Sequence, residues 1–223
     1  MSILKISEIT CPKCGEISYF KTWESINTTF NPDMKEKVLS GEAFKFVCPE
    51  CGDSCTVSYN FIYHQMKDKT MLHYVNNEEE FYELIDAYTE EKLKESDMIS
   101  ESLKNDYNIR IVRSHTELVD KIRIIDAGLD DRIVEICKLL IIKKIRETVE
   151  SDLVKNQFYQ DAGVNYVKFH FKDQVITAEL SDEMYNDLAE IAKGKLSRKI
   201  DDNLVVDFNW AVNFLEEFKE EFV

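Results

Sequence analysis

Six cysteines are the residues best suited to chemistry, and four of them form two matching pairs, Cys11-Pro12-Lys13-Cys14-Gly15 and Cys48-Pro49-Glu50-Cys51-Gly52. Two residues between the cysteines let one tight turn aim both sulfurs at a single ion. Proline fixes φ near the value such a turn needs. Glycine after the second cysteine takes positive φ, which turns backbone N–H groups toward the thiolates. Cys11, Cys14, Cys48 and Cys51 are therefore expected to form one tetrahedral four-thiolate site. Zn²⁺ is the expected ion and iron the alternative, because rubredoxins hold iron in similar turns. Four thiolates fill a tetrahedral ion, so the site is expected to be structural, with no open position for catalysis.

The remaining reactive residues form no comparable set. Cys55 stands beside the second pair, where the complete ligand set leaves it no role, and Cys137 lies in the most apolar helix, where a thiol is inert. His64 and His73 flank one hairpin, but no third ligand accompanies them. His115 opens a helix and His170 alternates within a strand. The cluster Asp126, Asp130, Asp131 and Arg132 is read as one helix end and the cap of the next. No phosphate-cradling glycine loop, dinucleotide fingerprint, HExxH pattern or nucleophile elbow occurs. No catalytic or cofactor-binding residue is assigned.

These cysteines must be positioned by short elements. The aromatic and β-branched stretch Ile17 to Phe30 reads as strand. Asn31-Pro32 and Gly41 bracket a helix over Pro32 to Ser40. Phe44 to Val47 is expected to lead into the second pair as a strand, and Thr56 to Tyr63 to leave it as another. Met71 to Val75 pairs back across the Lys67-Asp68-Lys69 turn. Asn77 caps a helix with Phe81, Leu84, Ile85 and Tyr88 on its apolar face. Further on come a strand at Tyr107 to Val112, a capping-box helix from Ser114 to Gly128, and a helix from Asp130 or Asp131 to about Val149. A hairpin of Val164 to Phe171 with Val175 to Leu180 follows, then helices capped by Ser181 and Asp207. Strands and helices fall in blocks, so the fold class is α+β. The expectation is a zinc-ribbon-like small antiparallel sheet with a short inserted helix, followed by an α+β C-terminal domain. The domains read as 1–75 (metal-binding), 76–106 (acidic helical connection) and 107–223 (α+β).

Charge and hydropathy exclude some functions. The 223 residues carry 43 acids against 28 Lys and Arg, a net charge of −15. Bulk attraction to nucleic acid or anionic lipid is therefore disfavoured. Residues 1–75 hold nearly balanced Lys and acid and no Arg, and the acidic surplus starts at Glu78. The most apolar run, Ile133 to Ile145, is too short and too charged to span a bilayer. Cysteines in metal-type spacing, with no signal peptide in view, fit a cytoplasmic protein.

The paired motifs resemble those of the CpXC family of bacteria and archaea. Trp23-Glu24-Ser25-Ile26-Asn27, the Asn31-to-Gly41 helix, Tyr63-His64 and Met66 are similar to family members, and the motif-rich likeness covers about the first 75 residues. Arg110-Ile111-Val112, Asp126 to Arg132 and Trp210-Ala211 resemble its downstream features. Gln65 departs from an acidic residue of the family, and Cys55 is additional. The resemblance implies the zinc ligands Cys11, Cys14, Cys48 and Cys51 and implies no reaction. The expectation is a zinc-stabilised protein-recognition or adaptor module whose partner is another protein. Two rivals stand beside it: a nucleic-acid-binding protein using Tyr19, Phe20, Trp23 and Phe30 as a stacking platform, and an enzyme with an unrecognised pocket.

Overall fold

The computed structural model describes residues 2–89, 93, 107–197 and 199–218. Among them are ten strands in three sheets and six α-helices, an α+β fold. Two compact units divide between His115 and Thr116.

In the first unit, β1 (Ile3–Thr10) pairs antiparallel with β2 (Ile17–Asn27), so the first cysteine pair is the loop of a hairpin. Helix α1 (Asp33–Ser40) follows and ends at Gly41, whose φ of 81° accepts the left-handed turn that L side chains resist. Pro32, not Asn31, occupies the cap position, and no side chain caps the helix there. Strands β3 (Lys45–Val47) and β4 (Ser54–Thr56) then form a separate hairpin around the second cysteine pair. Strands β5 (Phe61–Gln65) and β6 (Thr70–Tyr74) pair antiparallel across the expected turn at Lys67-Asp68-Lys69. Asn77 caps α2 (Glu78–Ala87) by accepting from the Glu80 N–H at 3.1 Å, a contact of the kind that contributes about 1 kcal/mol. The rest of the expected acidic connection, 90–106, lies outside the described residues apart from Leu93.

Strand β7 (Asn108–Val112) pairs in parallel with β6, which gives the sheet order β1-β2-β5-β6-β7. The strand grouped with the following domain by sequence is thus an edge of this sheet. The reason is that a parallel neighbour needs a long crossover, and 75–107 supplies one. Phe44, Tyr59, Phe61 and Tyr74 pack ring against ring with centroids 5.5–6.0 Å apart. The His115 ring meets Phe44 edge-on, and its Nε2 donates to the Val38 carbonyl at 2.7 Å.

In the second unit, α3 (His115–Asp126) ends at Gly128 (φ 73°), where Leu129 N–H reaches back to the Ile124 carbonyl at 3.1 Å. Asp130 then caps α4 (Asp131–Ile145). The stretch Leu153–Asp161 is a strand, β8, that sequence reading had not identified. It pairs with β9 (Val164–Phe171) through a two-residue loop, Ala162-Gly163, in which both residues have positive φ (48° and 82°). Strand β10 (Val175–Glu179) completes the sheet, and α5 (Asp182–Ala192) and α6 (Phe208–Glu217) follow. Ile133, Ile136, Leu139, Phe158, Val167, Phe169 and Phe214 belong to one core cluster.

Candidate metal centre

The two cysteine turns have the same geometry, because they have the same sequence constraints. Cys11 N–H donates to the Glu16 carbonyl at 2.8 Å and Gly15 N–H to the Cys11 carbonyl at 3.0 Å. Cys48 N–H donates to the Asp53 carbonyl at 2.8 Å and Gly52 N–H to the Cys48 carbonyl at 3.0 Å. Gly15 and Gly52 have φ of 76° and 71°. Each turn closes a hairpin, β1–β2 or β3–β4, and brings its two sulfurs to the hairpin tip.

All four sulfurs, Cys11, Cys14, Cys48 and Cys51, lie within 4.8 Å of one another. Two opposite edges of the set, Cys11 Sγ to Cys51 Sγ and Cys14 Sγ to Cys48 Sγ, are 3.7 Å. A regular tetrahedron with that edge has its centre about 2.3 Å from each corner, the length of a metal–thiolate bond. Cys11 and Cys48 are buried, while Cys14 and Cys51 face outward. Backbone N–H groups of Cys14 and Lys13 aim at Cys11 Sγ and pull its pKa down to about 7. At Cys14 the Glu16 N–H acts the same way, but desolvation and the neighbouring sulfurs outweigh it and push the thiol up to about 12. Four thiolates at this spacing repel one another, and a cation at their centre reverses that balance. Lys13 Nζ donates to Asp53 Oδ1 at 3.1 Å, tying the two turns together at the surface and holding the lysine above its ordinary pKa.

Beneath the sulfurs the hydrophobic support is slight: buried Cys11, Phe46 and Cys48, with Ile9, Phe20, Cys55 and Val57 against them. Cys55 lies in this packing, opposite Phe46 in the β3–β4 ladder, and is not among the grouped ligands. Cys137 is buried, and burial pushes its pKa up to about 12, which suppresses the thiolate.

The histidines of the β5–β6 hairpin do not converge. His64 stands opposite Met71 and bonds Asn27 and Tyr107, whereas His73 stands opposite Ile62 and bonds the Tyr88 hydroxyl at 2.8 Å. His73 lines a shallow cleft of about 420 Å³ with Glu24, Glu80 and Glu83 on its walls. Gln65 is buried between the Tyr63 hydroxyl, which donates to it at 2.9 Å, and Asp68, to which it donates. An amide suits that place, since a carboxylate there would oppose Asp68. The stacking platform expected from Tyr19, Phe20, Trp23 and Phe30 does not form one surface. Strand alternation turns Phe20 away from Tyr19 and onto Phe46 and Tyr59, at centroid distances of 6.0 and 6.4 Å.

In the Asp126–Arg132 turn, Asp130 Oδ1 accepts from Arg132 N–H at 2.9 Å, and the Arg132 guanidinium grips the same carboxylate at 2.6 Å. This is capping, as expected. Asp131 has another role that sequence reasoning missed. Asp120, Lys121, Asp131, Glu135 and Lys138 are all buried. Lys121 Nζ is 3.0 Å from Asp131 and 3.4 Å from Glu135, and Lys138 Nζ bonds Asp120 and, at 2.9 Å, Glu135. Burial opposes the Lys138 charge, but Asp120 and Glu135 outweigh it and hold the ammonium above its ordinary pKa. The available signal was the Glu135–Lys138 spacing on a helix otherwise apolar most of the way round.

Fold and site together define an α+β protein with a four-cysteine cluster able to hold a metal ion. Residues 9–138 match the family model described as CpXC protein, which spans more than half of the sequence. The chain belongs to the CpXC family. No curated protein and no solved structure matches it. No helix among the described residues is long and apolar enough to cross a membrane.

Proposed function

We propose that this chain is a protein-recognition module of the adaptor type, clamped by one structural Zn²⁺ on Cys11, Cys14, Cys48 and Cys51. The observation that carries the clamp is the closed set of four sulfurs at the tips of two hairpins. Four protein ligands leave a tetrahedral ion no place for substrate, so its work is to fix the hairpins. Soft thiolates favour zinc, with iron as the competitor.

Recognition is supported by what the clamp holds. Strand β2 pairs with β5 only over Ser25–Asn27, so Ile17–Glu24 and β1 form a two-stranded arm. One face of the arm carries Leu4, Ile6, Ile17 and Tyr19, with Ile6 64% and Tyr19 76% exposed. Strand β1 is an edge of its sheet. An exposed apolar face beside an open strand edge is the surface that protein partners use.

Metal analysis of the purified protein tests the clamp: one zinc per chain is expected. A clear sub-stoichiometric content, with the fold unchanged after chelation, would reject it. Recognition is tested by comparing native-host partners of the wild type with those of an Ile6→Asp/Tyr19→Asp variant that still binds zinc. A specific partner lost only by the variant supports this reading, and identical recovery overturns it.

A further inference from the structure

The register of the second unit's sheet sets out its outer face in three rows. Lys155, His170 and Val175 form the first, Gln157, Lys168 and Thr177 the second, and Tyr159, Tyr166 and Glu179 the third. Alternation along β9 buries Val167, Phe169 and Phe171 and leaves Tyr166, Lys168 and His170 half-exposed on the other side. Successive rows lie about 7 Å apart.

This face runs against the character of the chain. Lys155 stands directly opposite His170 and diagonal to Lys168, and neither lysine forms a salt bridge among the described residues, in a protein with 43 acids. Lys155, Lys168 and His170 thus meet on one ladder, with Glu179, diagonal to Lys168 in the third row, as the acid beside them. His170 Nε2 is shielded from solvent and, among the described residues, is the one buried side-chain nitrogen or oxygen without a hydrogen-bond partner. Desolvation, with Lys155 and Lys168 nearby, holds the imidazole below its usual pKa. Lys168 Nζ is fixed 4.4 Å over the Tyr159 ring, and Tyr159 stacks on Tyr166 with centroids 5.3 Å apart and planes 20° from parallel.

We propose that this face binds a nucleotide-class ligand, with phosphates along Lys168 and Lys155 and a base at the Tyr166–Tyr159 stack. A phosphate supplies the anion that both lysines lack. A third ring can extend the tyrosine stack on the β10 side, where the neighbour of Tyr166 is Glu179, a carboxylate able to accept from a base amino group. Repulsion from the rest of the acidic chain is screened beyond about 10 Å at 0.1 M salt, whereas these contacts lie within that range. Two sources share this chemistry, a free nucleoside triphosphate and a single-stranded nucleic acid.

The full-length protein is titrated with ATP, followed by calorimetry, and with a fluorescein-labelled oligodeoxyadenylate, followed by anisotropy. At least one probe is expected to bind, with affinity lowered about tenfold or more in Lys155→Ala/Lys168→Ala and about tenfold in Tyr166→Ala. For the oligonucleotide, two phosphate contacts give a log–log salt slope of about −1.4. Binding of ATP alone assigns the free nucleotide, and binding of the strand alone assigns nucleic acid. Lys172→Ala, which removes an ammonium already paired with Asp152 at 2.6 Å, leaves affinity unchanged. All replaced side chains are exposed or half-exposed, so melting temperature and circular dichroism serve to show that each variant is folded. Failure of both probes to bind at about 0.1 M salt, where the repulsion is screened, or wild-type affinity in the folded double-lysine variant, overturns the proposal.

Discussion

Both units gather anionic groups, and they neutralise them differently. The first brings four cysteine sulfurs together and supplies no cation of its own at their centre. The second sets Asp120, Asp131 and Glu135 around Lys121 and Lys138, so its cations are part of the chain. Apolar support around the two charged clusters follows the same division. Only Cys11, Phe46 and Cys48 are buried beneath the sulfurs, whereas the cluster of the second unit runs from Ile124 to Leu215. A small hairpin pair with so little apolar surface depends on an added ion, while a packed helix–sheet layer can hold charged groups by itself. Stability at the sulfur end of the first unit is therefore conditional on the medium, whereas the rest of that unit, with Phe44, Phe61, Tyr63 and Leu72 buried, and the second unit are held by packing.

The largest effect expected is from breaking the sulfur set. Cys48→Ser is predicted to lower zinc affinity and to expose 1–75 to limited proteolysis while 116–223 stays resistant. Equal lability of both regions would remove the distinction. Next comes Lys138→Ala, which leaves Asp120 and Glu135 buried beside an empty place. A loss of about 3–5 kcal/mol is expected in urea titration of metal-saturated protein, with zinc content unchanged. Lys138→Met, similar in length but without charge, separates lost packing from lost pairing. The third effect concerns pH. Burial lowers the His73 pKa from 6.5 to about 4, so the unfolded chain binds its proton more readily than the folded one. The stability at stake is present above pH 6.5 and is lost as pH falls toward 4, up to about 3 kcal/mol. NMR titration should find His73 still neutral at pH 5, and His73→Phe should flatten the acid limb relative to wild type at matched metal loading.

Legibility differed from element to element for physical reasons. The cysteine turns were readable because proline and glycine at fixed offsets leave few conformations, and the structure repeats them at both pairs. Asn77, Ser181 and Asp207 were readable as caps because each accepts from an N–H three residues on. Strand β8 was not readable: LVKNQFYQD interleaves polar residues on a half-exposed edge, and the Ala162-Gly163 loop lacks the usual asparagine. The place of β7 depended on pairing with β6 across a long crossover, which periodicity does not encode. The buried ion network was hidden by spacing that spans two helices. Only the three-dimensional approach of α3 to α4 reveals that Asp120 and Lys138 are partners.

Cys11 and Cys51 lie 40 positions apart in the chain and 3.7 Å apart at their sulfurs. An ion between them is a cross-link, and it closes a loop that contains β2, α1 and β3. Like a disulfide, such a tie removes conformations from the unfolded ensemble. Unlike one, it persists under reducing conditions and is undone by chelators or acid. Metal supply, not redox state, then sets how firmly the arm is fastened at its tip.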